Sequence, residues 1–387
     1  MYASLGSRTI EEEPMRKTAI ITLVLMLCMV MGNVAAEGFE FAFNGIRLNG
    51  ALLSFLPVPT GVDVGIRLPL APGLLYSVRV AGGYEDRMIL RDDTDGTPIA
   101  EPTALGSTWF NWPNFQLDTG VLYRLGTASG AKGIPLELFL LARGRYEVNA
   151  SGFSTSVFSD AGGLATVSLL AGAGIDIVKT DAERVKHGFA GEMSIEYAPS
   201  LFSILGSADY YRASGYLEGY LPLVSNGKKE AQALSVYAAG YLTADYAGGS
   251  SIPLHVLTSF GGRLPRSGLG SSIRGYQAWG YEASTKAEAS LEIRAVGPAF
   301  FGIPWFRPIA YVFGDAGYYG GLYKAASPFA DESGLILSTG AGIAIDLLDY
   351  AFVGLRAGFR LPVDDPLYPI YFGTDYFFWN IAFLLHF

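Results

Sequence analysis

ASTKAEASLEIRA, residues 283–295, is the stretch whose reading decides the fold. Its odd positions are Ala283, Thr285, Ala287, Ala289, Leu291, Ile293 and Ala295. Its even positions are Ser284, Lys286, Glu288, Ser290, Glu292 and Arg294. A period of two puts the two sets on opposite faces of one β-strand. The same alternation runs from Leu335 to Ile345 and from Ala351 to Leu361, where Arg356 and Arg360 stand at even positions among Gly354 and Gly358. One face of these strands is apolar and the other small, polar or charged. If the apolar face meets lipid, the charged face must line an interior, because Arg or Lys facing lipid at the midplane costs about 2–4 kcal/mol.

The bulk composition agrees with strands in a membrane. Half of the 387 residues are apolar, only 16% are charged, and there are 49 Gly, 24 Phe and 23 Tyr. Mean hydropathy is +0.29. Several helical spans would need several apolar runs of about 20 residues, and only one long run exists, near the N-terminus. A net charge of −9 argues against nucleic acid as a partner. These features predict an all-β fold: a transmembrane antiparallel β-barrel of sixteen strands.

The N-terminal run reads as a signal peptide. Arg16 and Lys17 precede the apolar Ala19–Met31, and Val34 and Ala36 suit a cleavage site before Glu37. Glu11, Glu12 and Glu13 do not suit such a leader, so translation is expected to start at Met15. Residues 1–36 are read as leader and 37–387 as one barrel domain. Cys28, the only cysteine, lies in the leader, so disulfides are not expected in the mature chain.

Strands are expected near 38–48, 61–70, 76–86, 112–126, 135–149, 165–179, 188–198, 207–222, 233–247, 252–262, 281–296, 308–319, 334–347, 350–362 and 376–387. That is one short of the even number usual in such barrels. Asp92–Gly96 and Ser225–Glu230 carry turn residues. Trp109, Trp112, Trp305 and many tyrosines fall near strand ends, as interface girdles do. In the last strand Trp379, Ile381, Phe383, Leu385 and Phe387 share one face. A terminal aromatic after such alternation is similar to the sorting signal of outer-membrane barrels.

Four motifs precede that strand. The segment Gly262–Ser272 leads into Ile273-Arg274-Gly275-Tyr276. Then come Ser290-Leu291-Glu292-Ile293, Phe313-Gly314-Asp315-Ala316-Gly317 and Ser338-Thr339-Gly340-Ala341-Gly342. In this order they resemble the sixth-loop and strand motifs of the BamA/TamA outer-membrane barrel superfamily, the bacterial surface antigen family. The resemblance is specific over about 252–387. It implies an extracellular loop folded into the barrel, with Arg274 pinned to the lumen carboxylates Glu292 and Asp315, and Phe313 and Gly317 serving the strand motif. Charge and geometry suit this, since a guanidinium can bond two carboxylates through its planar fork. Members that insert or secrete proteins carry POTRA modules ahead of the barrel. Here strand-like sequence starts at Phe39, so a member lacking POTRA modules is expected, and the resemblance does not by itself carry the assembly function.

Three functional classes compete. The first assists outer-membrane protein assembly or translocation, with unfolded outer-membrane or secreted proteins as substrates. The second is a passive pore or structural surface-antigen barrel. The third, an enzyme, finds no support: His187, His255 and His386 stand in no catalytic motif, and neither a zinc-binding cluster nor a phosphate loop is legible. No cofactor or metal is expected. Partners expected for any such barrel are outer-membrane lipid and the barrel-assembly machinery that inserts it.

Overall fold

A computed structural model describes residues 40–48, 60–88, 109–125, 135–148, 160, 162–180, 185–228, 230–264, 266–276, 281–303, 306–322, 333–347 and 351–385. The leader, Trp305, His386, Phe387 and the Asp92–Gly96 turn lie outside these residues.

Fourteen long strands form one antiparallel meander: β1 (Glu40–Leu48), β2 (Thr60–Ala71), β3 (Leu74–Met88), β4 (Trp109–Leu125), β5 (Leu136–Glu147), β6 (Leu164–Asp176), β7 (Lys186–Ala198), β8 (Asp209–Ser225), β9 (Ser235–Ser251), β10 (Ala283–Val296), β11 (Phe306–Leu322), β12 (Ser333–Leu347), β13 (Ala351–Val363) and β14 (Phe377–Leu385). Each pairs with its sequence neighbours. Two short strands, Lys179–Thr180 on β7 and Ser203–Leu205 on β6, bring the sheet to sixteen. The sheet curls until β1 and β14 lie beside each other. Among the described residues the barrel wall therefore has fourteen long strands where sixteen were expected. The expected strand at 252–262 is not part of the wall. Pro253 opens a helical turn there, and the segment belongs to the connection between β9 and β10.

The side chains are distributed inside out, and this establishes the membrane-spanning wall. Along β7, Met193 and Ile195 are 75% and 65% exposed, while Glu192, Ser194 and Glu196 between them are buried. In β10, Leu291 and Ile293 face outward while Lys286 and Glu288 are buried. Ile343 of β12 and Leu355, Phe359 and Leu361 of β13 repeat the pattern. A soluble protein could not leave this apolar belt in water, whereas a bilayer covers it. The odd and even sets thus face the ways their charges require. Trp379 points outward, and Phe378 turns into the lumen.

Connections alternate between two rims. The rim bearing Glu40 and Leu385 carries the two-residue turn 72–73, where Gly73 takes a φ of +78°, and the connections 177–185, 226–234 and 297–305. The opposite rim carries 148–163, 199–208, 252–282 and 364–376. Exposed tyrosines gather at this rim: Tyr84, Tyr146, Tyr197, Tyr211, Tyr246 and Tyr318 all lie at the strand ends nearest it. Such phenols place an apolar ring in lipid and a hydroxyl among headgroups.

Candidate functional site

The connection 252–282 turns back into the barrel. Its first part is the helical turn α1 (Leu254–Leu257), whose Leu254, Val256 and Leu257 are all buried. Ser259–Phe260 then pairs with Arg266–Ser267 as a short ribbon. A second helical turn, α2 (Leu269–Ser272), follows and delivers Ile273-Arg274-Gly275-Tyr276 to the wall.

At its root, β-strand side chains hold the loop's backbone. Lys286 of β10 is fully desolvated, and its ammonium donates to the Val256 and Leu257 carbonyls, each at 3.1 Å. Asp245 of β9 accepts from the Gly261 N–H at 2.8 Å and from the Arg212 Nε at 2.8 Å, and Arg212 Nη2 donates to the Ser259 carbonyl. Buried charges of this kind hold only when each has partners.

Arg274 meets β10 and β11. Its Nε donates to Asp315 Oδ2 at 2.7 Å and its Nη2 to Asp315 Oδ1, which is a two-pronged grip on one carboxylate. Nη1 donates to Glu292 and Nη2 to Ser290 Oγ at 2.9 Å. The Arg274 backbone N–H adds a bond of 3.1 Å to Asp315 Oδ2. Ser290 and Ser338 hydroxyls donate to the same carboxylate at 2.7 and 3.2 Å. The guanidinium also lies 3.8 Å from the centre of the Phe313 ring, a cation–π placement.

The glycines around it make room. Phe313 lies opposite Gly340 and Tyr311 opposite Gly342 on β12, and a Cβ at either glycine would strike the ring. A Cβ at Gly317 would strike Ile273, Leu269 and Ile336. Gly275 has a φ of +92°, and a Cβ there would enter the Phe378 ring. Arg360 donates to the Gly275 carbonyl. Tyr276 donates to the Leu337 carbonyl at 2.9 Å.

A second arginine, passed over in the sequence, grips a different arc of the wall. Arg263 Nε donates to Glu192 Oε2 of β7 at 2.6 Å, Nη1 donates to Glu137 of β5, and its backbone N–H reaches Glu192 Oε1 at 2.7 Å. Its carbonyl accepts from Arg79 and Arg143, which belong to a buried network with Asp63, Asp118 and Glu196. The signal was available: Arg263 stands in the quoted loop segment, and Glu137 and Glu192 stand on predicted strands. Arg266 is stacked 3.3 Å over Tyr216 and donates to the Tyr241 hydroxyl at 3.1 Å.

Aromatic side chains cap the loop's far end. Tyr276, Tyr281, Tyr319 and Ile273 are buried together with Leu367 and Tyr368 of the 364–376 connection, and the partly buried Phe372 packs against them. Asp365 accepts from the Tyr319 and Tyr281 hydroxyls at 2.7 and 3.1 Å. Burial pushes the Asp365 carboxyl above its ordinary value, and these hydrogen bonds only partly offset that.

The structure is similar to that of BamA. The match is to BamA from Haemophilus ducreyi lacking POTRA domains 1–3, at a TM-score of 0.47 and 15% identity, over 84% of this chain and 62% of that one. This chain thus spans less than two thirds of that chain's length. A bacterial polysaccharide outer membrane secretin matches at a TM-score of 0.34 and 9% identity, over 84% and 88%. No family model and no curated protein matches the sequence.

His187 is the second residue of β7, in register with Lys179. His255 does not lie on a strand as the expected span 252–262 implied. It sits in α1, buried against Glu147 at the end of β5 and Asp160 of the 148–163 connection. Among the described residues these three form the one group of at least three His, Cys, Asp or Glu side chains spaced for a metal ion.

Proposed function

We propose that this chain is an outer-membrane barrel that assists the insertion or translocation of other proteins, with the 252–282 loop as its lock. The observation that carries this reading is the loop's double grip. Arg274 holds β10 and β11 while Arg263 holds β5 and β7, so the loop crosses the lumen and is tied to it by charge-assisted bonds. An open pore has no use for a plug held this way. A barrel that must open on demand does, because each grip is a discrete set of bonds that can be made or released together. The adjoining edges of β1 and β14 supply the second element. Sheet edges accept an added strand, and among the described residues no hydrogen-bonded register joins these two.

The test is deletion and complementation. Loss of the chain should lower the levels of folded outer-membrane or secreted proteins, and nascent barrels should co-precipitate with it. Unchanged levels of these proteins in the deletion strain would refute the role.

A second reading, a gated pore, rests on the charged lumen lining. It expects conductance in planar bilayers that rises when residues 262–280 are removed. Silence of both forms would eliminate it.

A further inference from the structure

We propose that Glu147, Asp160 and His255 form a binding site for a divalent transition-metal ion of the zinc class, which staples the root of the inward loop to the barrel wall. The inference does not depend on the assembly role. The three residues come from three separate segments: the end of β5, the 148–163 connection and helical turn α1 of the inward loop. Each offers one donor atom, and all three atoms lie within 4.8 Å of one another. An ion central to three donors as much as 4.8 Å apart would lie up to about 2.8 Å from each, so bonds of ~2.0–2.2 Å to zinc require the three side chains to draw inward on binding.

The donor chemistry selects the ion. One imidazole and two carboxylates match the His/carboxylate sets of zinc sites. A calcium site would use oxygen alone. All three residues are buried, with 8% exposure at His255 and less at the others. Arg145 donates to Glu147 and offsets part of the charge of the two carboxylates.

The surroundings hold the donors in place. Asp160 Oδ2 accepts from the Leu254 N–H at 2.9 Å, which fixes the carboxylate against the first residue of α1. Asp160 also closes a turn through its carbonyl with the Gly163 N–H. Leu254's neighbour in the turn, Val256, packs with Leu164, Ala198, Ala208, Tyr210 and Ala247. The apolar backing fixes α1, and with it the direction of His255. A bound ion would therefore tie α1, where the inward loop begins, to β5 and to the connection that follows it. That is a third anchor, at the rim, in addition to the two arginine grips.

The experiment uses the full chain folded in detergent micelles and stripped of metal. Zn2+ is titrated by calorimetry, and Co2+ by visible absorption as a spectroscopic substitute. One ion should bind per chain. His255→Gln and Asp160→Asn, each shown to be folded by its heat-modifiable mobility on gels, should weaken binding at least about a hundredfold, more than the loss of an outer-shell partner costs. Hydrogen–deuterium exchange on the wild-type chain gives an answer even if both variants misfold: Zn2+ should protect 160–163 and 254–258. Tryptic cleavage at Arg263 and Arg266 should slow when Zn2+ is present. Absence of saturable binding, binding unaffected by both substitutions, or protection confined to other segments would each overturn the proposal. So would preference for Ca2+ with indifference to His255→Gln.

Discussion

Arg274 bears three tasks that one ammonium cannot share. Its fork grips both oxygens of Asp315, reaches Glu292 and Ser290, and stacks on Phe313. Lysine would keep the charge but lose the planar, multi-donor geometry. Removing one member of a buried pair leaves the other uncompensated, typically at about 3–5 kcal/mol. Arg274→Ala is therefore expected to loosen the loop most, and Arg274→Lys less, because the charge stays while the fork is lost. Both should speed proteolysis within 262–276 and reduce the folded, heat-modifiable band, and unchanged digestion of both would refute the lock. Gly275→Ala makes a separate test, since it keeps every hydrogen-bonding side chain. A positive φ at a non-glycine residue costs about 1–3 kcal/mol, and the new methyl would also collide with Phe378. The variant should resemble Arg274→Ala in proteolysis although Arg274 is intact.

Among the elements, the loop behaves as a bar held at both ends and covered by a cap. Arg263→Ala alone should leave the Arg274 grip in place, and the reverse holds for Arg274→Ala. Only the double variant releases both grips, so ion conductance in planar bilayers should rise far more in the double than in the two singles added together. Additive conductance would show that the two grips act independently. The cap responds to pH through Asp365. Its folded-state pKa is raised by burial, so the stability it contributes is fully present below the ordinary Asp value of about 3.9. That contribution is lost as pH rises through the higher folded value. Mild acidification toward pH 4 should tighten the 364–376 cap, read as near-ultraviolet circular dichroism of its tyrosines on heating, and Asp365→Asn should remove the dependence. These elements also mark how far the sequence could be read. The alternation in β10, β12 and β13 gave the faces directly, because a single strand's period needs no partner. The 252–262 segment misled because its apolar Leu254, Val256, Leu257 and Phe260 are buried by the lumen rather than by sheet neighbours. Burial inside a barrel erases the difference between wall and plug. The His255 cluster was invisible for a related reason: its members are brought together by folding alone.

For the molecule as a whole, the decisive property is the inversion of burial, with charge inside and hydrocarbon outside. Buried arginine–carboxylate networks tie the lumen faces of the strands to one another and to the loop, so opening is expected where the wall is weakest and not through its middle. Every long strand from β2 to β13 has hydrogen-bonded partners on both sides, whereas β1 and β14 meet only by proximity among the described residues. Parting this seam sacrifices the fewest bonds and exposes two edges at once. The chain is convenient for a test, since its only cysteine is Cys28 in the expected leader. Cysteines introduced in pairs along β1 and β14 can be oxidised to lock the seam without competing thiols. If the barrel inserts or passes proteins through a lateral opening, the locked form should fail to restore outer-membrane protein levels in a deletion strain, and reduction should rescue it. If the chain is instead a pore gated by the loop, the locked seam should leave conductance of the Arg263/Arg274 double variant unchanged. Full complementation by a verified cross-linked barrel would eliminate lateral opening and leave the loop as the only gate.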